Sequence, residues 1–168
     1  MPAERFVEAL SEQIDREFAA AHQYTALAAW YEQQTLPRLA RFFFAQADEE
    51  RGHAMKMIGY LRDTGAELHL GAIPAPRTSF EDHVAPIRLA LEGEKKVTAH
   101  IAGLFEVARE AGDYAAESFV SWFVDEQVEE EATMDALLTV AERVRDNPML
   151  LEDFLARDGA GLAGGEPA

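Results

Sequence analysis

The chain of 168 residues contains no cysteine. That excludes a disulfide framework, a Cys-ligated zinc site, an iron–sulfur cluster and a thiol nucleophile. Basic charge is scarce: 15 Lys and Arg stand against 31 Asp and Glu, a formal net charge of −16. Nucleic acid and anionic membrane surfaces carry charge of the same sign and make poor partners. No apolar run approaches the ~18 residues that a membrane span needs. The stretch Phe119 to Val124 is broken by Ser121 and ends at Asp125. Met1-Pro2-Ala3-Glu4-Arg5 leads into a mixed polar pattern with no apolar signal segment. The expectation is a soluble, cytoplasmic protein. Hydrophobic residues nevertheless make up 48% of the chain, too many for a disordered acidic tail. A chain both acidic and well cored either keeps its charge for solubility or handles cations.

The pattern predicts helices and no strand. The first helix spans about Arg5 to Gln34 and ends before Leu36-Pro37, with Pro37 suited to the first turn of the next. The second runs to about Thr64, with Gly65 as its cap. Residues Ala66 to Thr78, punctuated by Gly71, Pro74 and Pro76, show no period. A third helix is expected from Ser79, with Asp82 at the capping-box position, to Ala111-Gly112. Asp113 caps a fourth helix to about Arg145, and a short fifth follows Asn147-Pro148 and stops at Asp158-Gly159. Residues 1–158 then form one unit, and 159–168 a loose Gly-rich tail. Tight connections make the first pair and the last pair antiparallel. The 13 residues of the long connection can reach ~43–47 Å, and a helix of about 28 residues is ~42 Å long. The expected fold is therefore an all-α four-helix bundle with one long crossover plus a short fifth C-terminal helix.

Each helix carries an apolar stripe at steps of three and four. The stripes hold Leu10, Ile14, Glu17, Ala21, Tyr24, Ala28 and Tyr31 on the first helix; Leu39, Phe43, Gln46, Glu50, His53, Met57 and Tyr60 on the second; Phe80 to Ala108 through Glu94 on the third; and Val120, Phe123, Gln127, Glu130, Met134, Leu137 and Ala141 on the fourth. Charged or polar residues interrupt each near its middle: Glu17; Glu50 with His53; Glu94; Gln127 with Glu130. Glu17 to Glu50 and Glu94 to Gln127 are both separations of 33, and Glu50 to His53 and Gln127 to Glu130 are both three. The second hairpin thus repeats the first, which points to two hairpins about a pseudo-twofold axis with the polar groups in one layer.

Four carboxylates in one low-dielectric layer need compensation, because an unpaired buried carboxylate costs several kcal/mol. No Lys or Arg lies on the four stripes. Two divalent metal ions would supply four positive charges, and oxygen ligands with an imidazole suit iron or manganese, with zinc a competitor.

On these residues, with Tyr24 seven after Glu17, the run Asp48-Glu49-Glu50-Arg51-Gly52-His53-Ala54 and the run Glu126-Gln127-Val128-Glu129-Glu130, residues 5–158 resemble a non-haem bacterial ferritin. The resemblance implies a ferroxidase centre. Glu17, Glu50 and His53 would hold a first iron, with Glu50 bridging. Glu94 and Glu130 would hold a second, with Gln127 a weak ligand or close neighbour, and Tyr24 a redox or hydrogen-bonding neighbour. Glu49, Glu126 and Glu129 would form a third iron position, sharing Glu130. It also implies iron storage in a homo-oligomeric shell of twenty-four subunits, with Fe²⁺ oxidised by O₂ or H₂O₂ and deposited as ferric oxyhydroxide. The fourth helix has Gln127-x-x-Glu130 where a symmetric di-iron site has Glu-x-x-His, so the second iron should leave more readily. Arg51 stands where bacterioferritins place a haem-ligating Met, so haem is not implied; Met55 and Met57 read as packing residues. The competing reading is a di-iron oxidoreductase or peroxidase of the rubrerythrin-like type, which ordinarily carries a Cys-rich electron-transfer module.

Overall fold

The computed structural model describes residues 2–162 and, among them, five helices and no strand. These are α1 (Glu4–Gln33), α2 (Pro37–Asp63), α3 (Ala85–Glu110), α4 (Tyr114–Arg143) and α5 (Pro148–Leu162). The architecture is all-α, as the sequence predicts. α1 packs on α2, α3 on α4, and α1 on α3, while α5 leans on α2 and α4.

The turns follow local chemistry. α2 ends with Gly65 at φ 70°, and α3 ends before Gly112 at φ 65°, both in the left-handed region that glycine enters without penalty. Between α1 and α2, Thr35 takes φ 59°, a conformation that a β-branched residue rarely adopts. Asp113 caps α4 by accepting from the Ala116 N–H at 3.0 Å.

The crossover runs the length of the bundle along α1. The Gly71 N–H donates to both carboxylate oxygens of Asp15 at 2.9 Å. Gln23 and Arg77 exchange two bonds of 2.8 Å, side-chain amide to backbone. The Tyr31 hydroxyl then donates to the His83 carbonyl at 2.7 Å. Residues 71, 77 and 83 thus meet α1 at 15, 23 and 31 in order. α3 consequently starts at the C-terminal end of α1 and returns along it, where Arg5 pairs with Glu110 at 3.0 Å. α2 and α3 are parallel, as the length of the crossover requires.

Two boundaries differ from the sequence expectation. α3 begins at Ala85 rather than Ser79, because Asp82 accepts from the N–H groups of Val84 and Ala85 at 2.9 and 2.8 Å. Phe80 therefore lies in the crossover, against Trp30, and not on a helical stripe. α5 continues through Leu162 instead of stopping at Asp158-Gly159; residues 163–168 of the expected tail lie outside the described residues. Met55 is also exposed, while Met57 is buried in the core.

The core is divided in two. One apolar cluster gathers Tyr31, Leu39, Phe43, Ile87, Leu91, Met134 and Leu137 with Leu151 of α5. The other gathers Phe6, Leu10, Ile14, Met57, Leu61, Ile101, Val120 and Phe123. On every helix the gap between them falls at the polar interruption: after Ile14, after Ala47, after Leu91 and after Phe123. Residues from four helices make one polar slab within an apolar bundle.

Candidate metal centre

Glu17, Glu50, Glu94, Glu130, His53 and Gln127 are each no more than 5% exposed. The helical repeat brings them there: one turn separates Glu50 from His53 on α2, and Gln127 from Glu130 on α4. The structure draws the ligating atoms into three overlapping groups, each with all its atoms within 4.8 Å of one another. One holds Glu17, Glu50 and His53; a second holds Glu50, Glu94 and Glu130; a third holds Glu49, His53, Glu126 and Glu130. Glu50 is common to the first two, Glu130 to the second and third, and His53 to the first and third. Glu129 is exposed and stands outside all three.

Neighbours fix the orientation of the carboxylates. Gln13, fully buried, donates to Glu17 Oε1 at 2.7 Å. Tyr24 donates its hydroxyl to Glu94 Oε1. The Gln127 amide donates to Glu94 Oε2 at 3.1 Å and to Thr98 Oγ1 at 3.3 Å. His53 Nδ1 lies 3.4 Å from Glu50 Oε2 and 3.7 Å from Glu17 Oε2, while its ring meets Trp122 and Phe123 edge-on. Those same two oxygens, Glu17 Oε2 and Glu50 Oε2, are buried without a hydrogen-bond partner. Buried polar atoms are ordinarily satisfied, so these two oxygens, facing one imidazole, leave acceptor capacity unused within the layer. Gln13 and Gln46 are the supporting residues that sequence reasoning assigned no role; Gln46 donates to Glu49 Oε2 at 3.1 Å. The i, i+4 step from Gln13 to Glu17 was the available signal for the first, and the Gln46 position on the α2 stripe for the second.

The electrostatics follow from burial. Burial pushes Glu50 well above the ordinary carboxylate range, and the neighbouring charge of Glu17 adds to it. Glu94 is raised by burial against the opposing hydrogen bonds from Tyr24 and Gln127. Glu130 is raised to about 8 by burial and then by Glu94 and Glu49. Glu17 goes the other way: burial raises it, but the nearby His53 imidazole, with Glu50 and the Gln13 hydrogen bond, brings it below the ordinary value. Burial lowers His53, but Glu17 outweighs that, so the imidazole is net raised. In the metal-free layer, therefore, the Glu130 carboxyl retains its proton near neutral pH, and burial moves Glu50 and Glu94 in the same direction. That proton occupies the place of a cation. A divalent cation must displace it, so metal binding releases a proton.

The donor set fits such a cation: oxygen atoms from four buried carboxylates, one imidazole, and no Lys or Arg in the layer. The ferritin-like domain family matches residues 7–144. The chain belongs to the ferritin family. It is 40% identical to "Ferritin BfrB" of Mycobacterium tuberculosis over 99% of its own length and 93% of that protein's. It is 38% identical to a bacterial non-heme ferritin of Staphylococcus aureus, covering 88% of this chain and 89% of the relative. Among solved structures, an open-pore ferritin from the archaeon Archaeoglobus fulgidus superposes with a TM-score of 0.88 at 28% identity, over 98% of both chains. A structure described as a humanized archaeal ferritin reaches 0.90 at 29% identity, over 99% of this chain and all of the other. The similarity spans nearly the whole chain, and the family match includes every residue of the layer.

Proposed function

We propose that this ferritin oxidises Fe²⁺ at the polar layer and stores the product as ferric oxyhydroxide inside a hollow cytoplasmic shell of twenty-four identical subunits. The observation that supports it most is the pair of orphaned carboxylate oxygens, Glu17 Oε2 and Glu50 Oε2, in a layer of four buried carboxylates with one imidazole and, among the described residues, no buried Lys or Arg. Iron here is substrate. Glu17, Glu50 and His53 take one ion; Glu50, Glu94 and Glu130 take the other; the carboxylate shared by the two groups bridges them. Four positive charges then balance four negative ones.

The chemistry is two one-electron oxidations matched to a two-electron acceptor. Two Fe²⁺ and O₂ with two protons give two Fe³⁺ and H₂O₂; two Fe²⁺ and H₂O₂ with two protons give two Fe³⁺ and two waters. The layer supplies proximity, so that both electrons reach one oxidant, and carboxylates that favour the higher charge of the product. Each Fe³⁺ then hydrolyses with two waters to FeOOH and three protons. The Gln127 amide and Tyr24 hydroxyl contribute by aiming Glu94. Because Gln127 turns its N–H₂ toward Glu94, it acts as an orienting donor there, and the second iron is held by carboxylates alone. That favours release over retention. Glu49, Glu126 and Glu130, beside His53, form the third position; Glu129, exposed nearby, is a way-station for cations and not a member of the group.

One bundle encloses no space for a mineral, so storage requires assembly into a closed shell. Fe²⁺ added in air to the purified protein should yield electron-dense cores inside particles of about 450 kDa, twenty-four chains of 18.6 kDa. Particles of monomer or dimer mass, with oxidation intact, would remove storage and leave the peroxidase-like reading.

A further inference from the structure

We propose that the pocket along α2 from Arg38 to Glu49, flanked by Leu155 of α5, is an oxyanion site that takes inorganic phosphate beside the third carboxylate–imidazole group. The proposal rests on the reading above that this group takes a metal ion. The pocket has a volume of about 280 Å³ and is lined by Arg38, Arg41, Phe42, Gln46, Glu49 and Leu155 among others. At ~30 Å³ per water, that admits a tetrahedral oxyanion with several waters.

Two of the five arginines outside the ion pairs, Arg38 and Arg41, line this pocket together. Seven arginines of this acidic chain are spent on ion pairs with carboxylates: Arg5, Arg16, Arg62, Arg77, Arg88, Arg109 and Arg145. Arg38 and Arg41 are three residues apart on one side of α2, and among the described residues neither guanidinium has an ion pair or a hydrogen bond. Only the backbone N–H of Arg38 is engaged, by Glu152 of α5 at 2.9 Å. Both arginines are exposed and line one pocket, and the planar donors of a guanidinium match the edges of a tetrahedral oxyanion.

Glu49, further along α2, decides when an anion can enter. Glu49 lines the same pocket, held by the Gln46 amide at 3.1 Å, and it belongs to the third group with His53, Glu126 and Glu130. Without metal, the Glu49 carboxylate opposes a phosphate. A divalent cation in the group offsets two of the three carboxylate charges there, and phosphate offers the oxygen ligands that a hard cation prefers. Linkage makes this reciprocal: metal tightens phosphate and phosphate tightens metal by the same factor. The pocket would thus deliver phosphate to iron leaving the dinuclear layer, at the position that adjoins it.

Equilibrium dialysis of the assembled full-length protein with radiolabelled inorganic phosphate tests this, with Co²⁺ as a metal that O₂ does not oxidise under the assay. Co²⁺ binding is measured first, without phosphate; its absence would overturn the metal reading itself. With Co²⁺ bound, about one phosphate per chain should be retained, at least tenfold more tightly than by the metal-free protein. The Arg38→Gln/Arg41→Gln variant should lose tenfold or more in phosphate affinity while binding Co²⁺ as before. Arg41→Gln alone should lose severalfold; neither change removes the backbone N–H of residue 38 that Glu152 accepts. Glu49→Gln should strengthen phosphate retention by the metal-free protein. Equal phosphate binding by the double variant would overturn the site. So would no retention by the Co²⁺-loaded wild type, including the case in which the double variant instead changes assembly mass, which would assign the arginines to a second copy of the chain.

Discussion

Replacing Glu130 with glutamine should stabilise the metal-free protein, and only at neutral to alkaline pH. Glu130 is almost fully buried, and its carboxyl is raised from 4.5 to about 8. Below pH 4.5 the group is protonated in both folded and unfolded chains and contributes no pH dependence. Between 4.5 and about 8 the unfolded chain ionises while the folded one holds its proton, so folding stability falls as pH rises. Above about 8 the loss is complete. At about 1.4 kcal/mol per pH unit, the interval sets an upper limit of about 5 kcal/mol. Glu50, Glu94 and His53 are also raised and act in the same direction; Glu17, which is lowered, acts in the opposite one. Glutamine keeps the shape of Glu130 and removes the charge. Scanning calorimetry of chelator-stripped protein should therefore show Glu130→Gln melting roughly 5–15 °C above wild type at pH 8, from about 2–4 °C per kcal/mol for a chain of this size. At pH 5 the two should nearly coincide. Divalent metal should reverse the order, because wild type then gains the ligand that the variant lacks. A gap independent of pH, or a variant less stable than wild type at pH 8 without metal, would refute the reasoning.

Two further perturbations test how the bundle is held around the layer. Glu152 of α5 accepts from the N–H groups of Arg38 and Leu39, each at 2.9 Å, and so caps an α2 that begins with no cap of its own. Glu152→Ala should cost about 1–2 kcal/mol, the scale of a lost N-cap, and limited proteolysis should then cut faster near residues 144–147. At Gly71 an added Cβ would lie 2.5 Å from Asp15 Oδ2, so in Gly71→Ala the Asp15 carboxylate must swing away and give up its bond to the residue 71 N–H. The expected loss is about 1 kcal/mol for this solvent-exposed bond to a charged acceptor, and calorimetry of Asp15→Ala/Gly71→Ala should show no greater loss than either single change.

The polar layer was legible because burial makes it costly. Glu17, Glu50, Glu94 and Glu130 interrupt apolar stripes, and an interruption repeated at 33 and three residues on both hairpins survives any modest error in helix phase. The crossover direction was legible from its length alone. What the stripes could not show was which atoms meet. Gln13 reads as an ordinary polar neighbour until its amide is seen 2.7 Å from Glu17, and the role of Gln127 depends on which end of its amide faces Glu94. Glu49 and Glu129 are alike in sequence, both acidic neighbours of the layer, but the turn of α2 carries Glu49 toward His53 while Glu129 faces outward. The start of α3 was misplaced because Asp82 is a capping residue for Val84 and Ala85, not for a helix beginning at Ser79. Asp, Ser and Thr all suit a helix start, and local preference alone does not choose between them.

The central claim is that the buried carboxylates act together on two iron ions. Stopped-flow absorbance after mixing Fe²⁺ with the metal-free assembled protein in air tests it most directly, comparing wild type with Glu50→Ala. Glu50 is the one carboxylate common to the first and second groups, so its loss breaks both at once. Wild type should show a rapid phase that saturates at about two irons per chain, and Glu50→Ala should lack that phase while keeping its helical spectrum and its assembly mass. A rapid phase of unchanged rate and stoichiometry in Glu50→Ala would contradict the account.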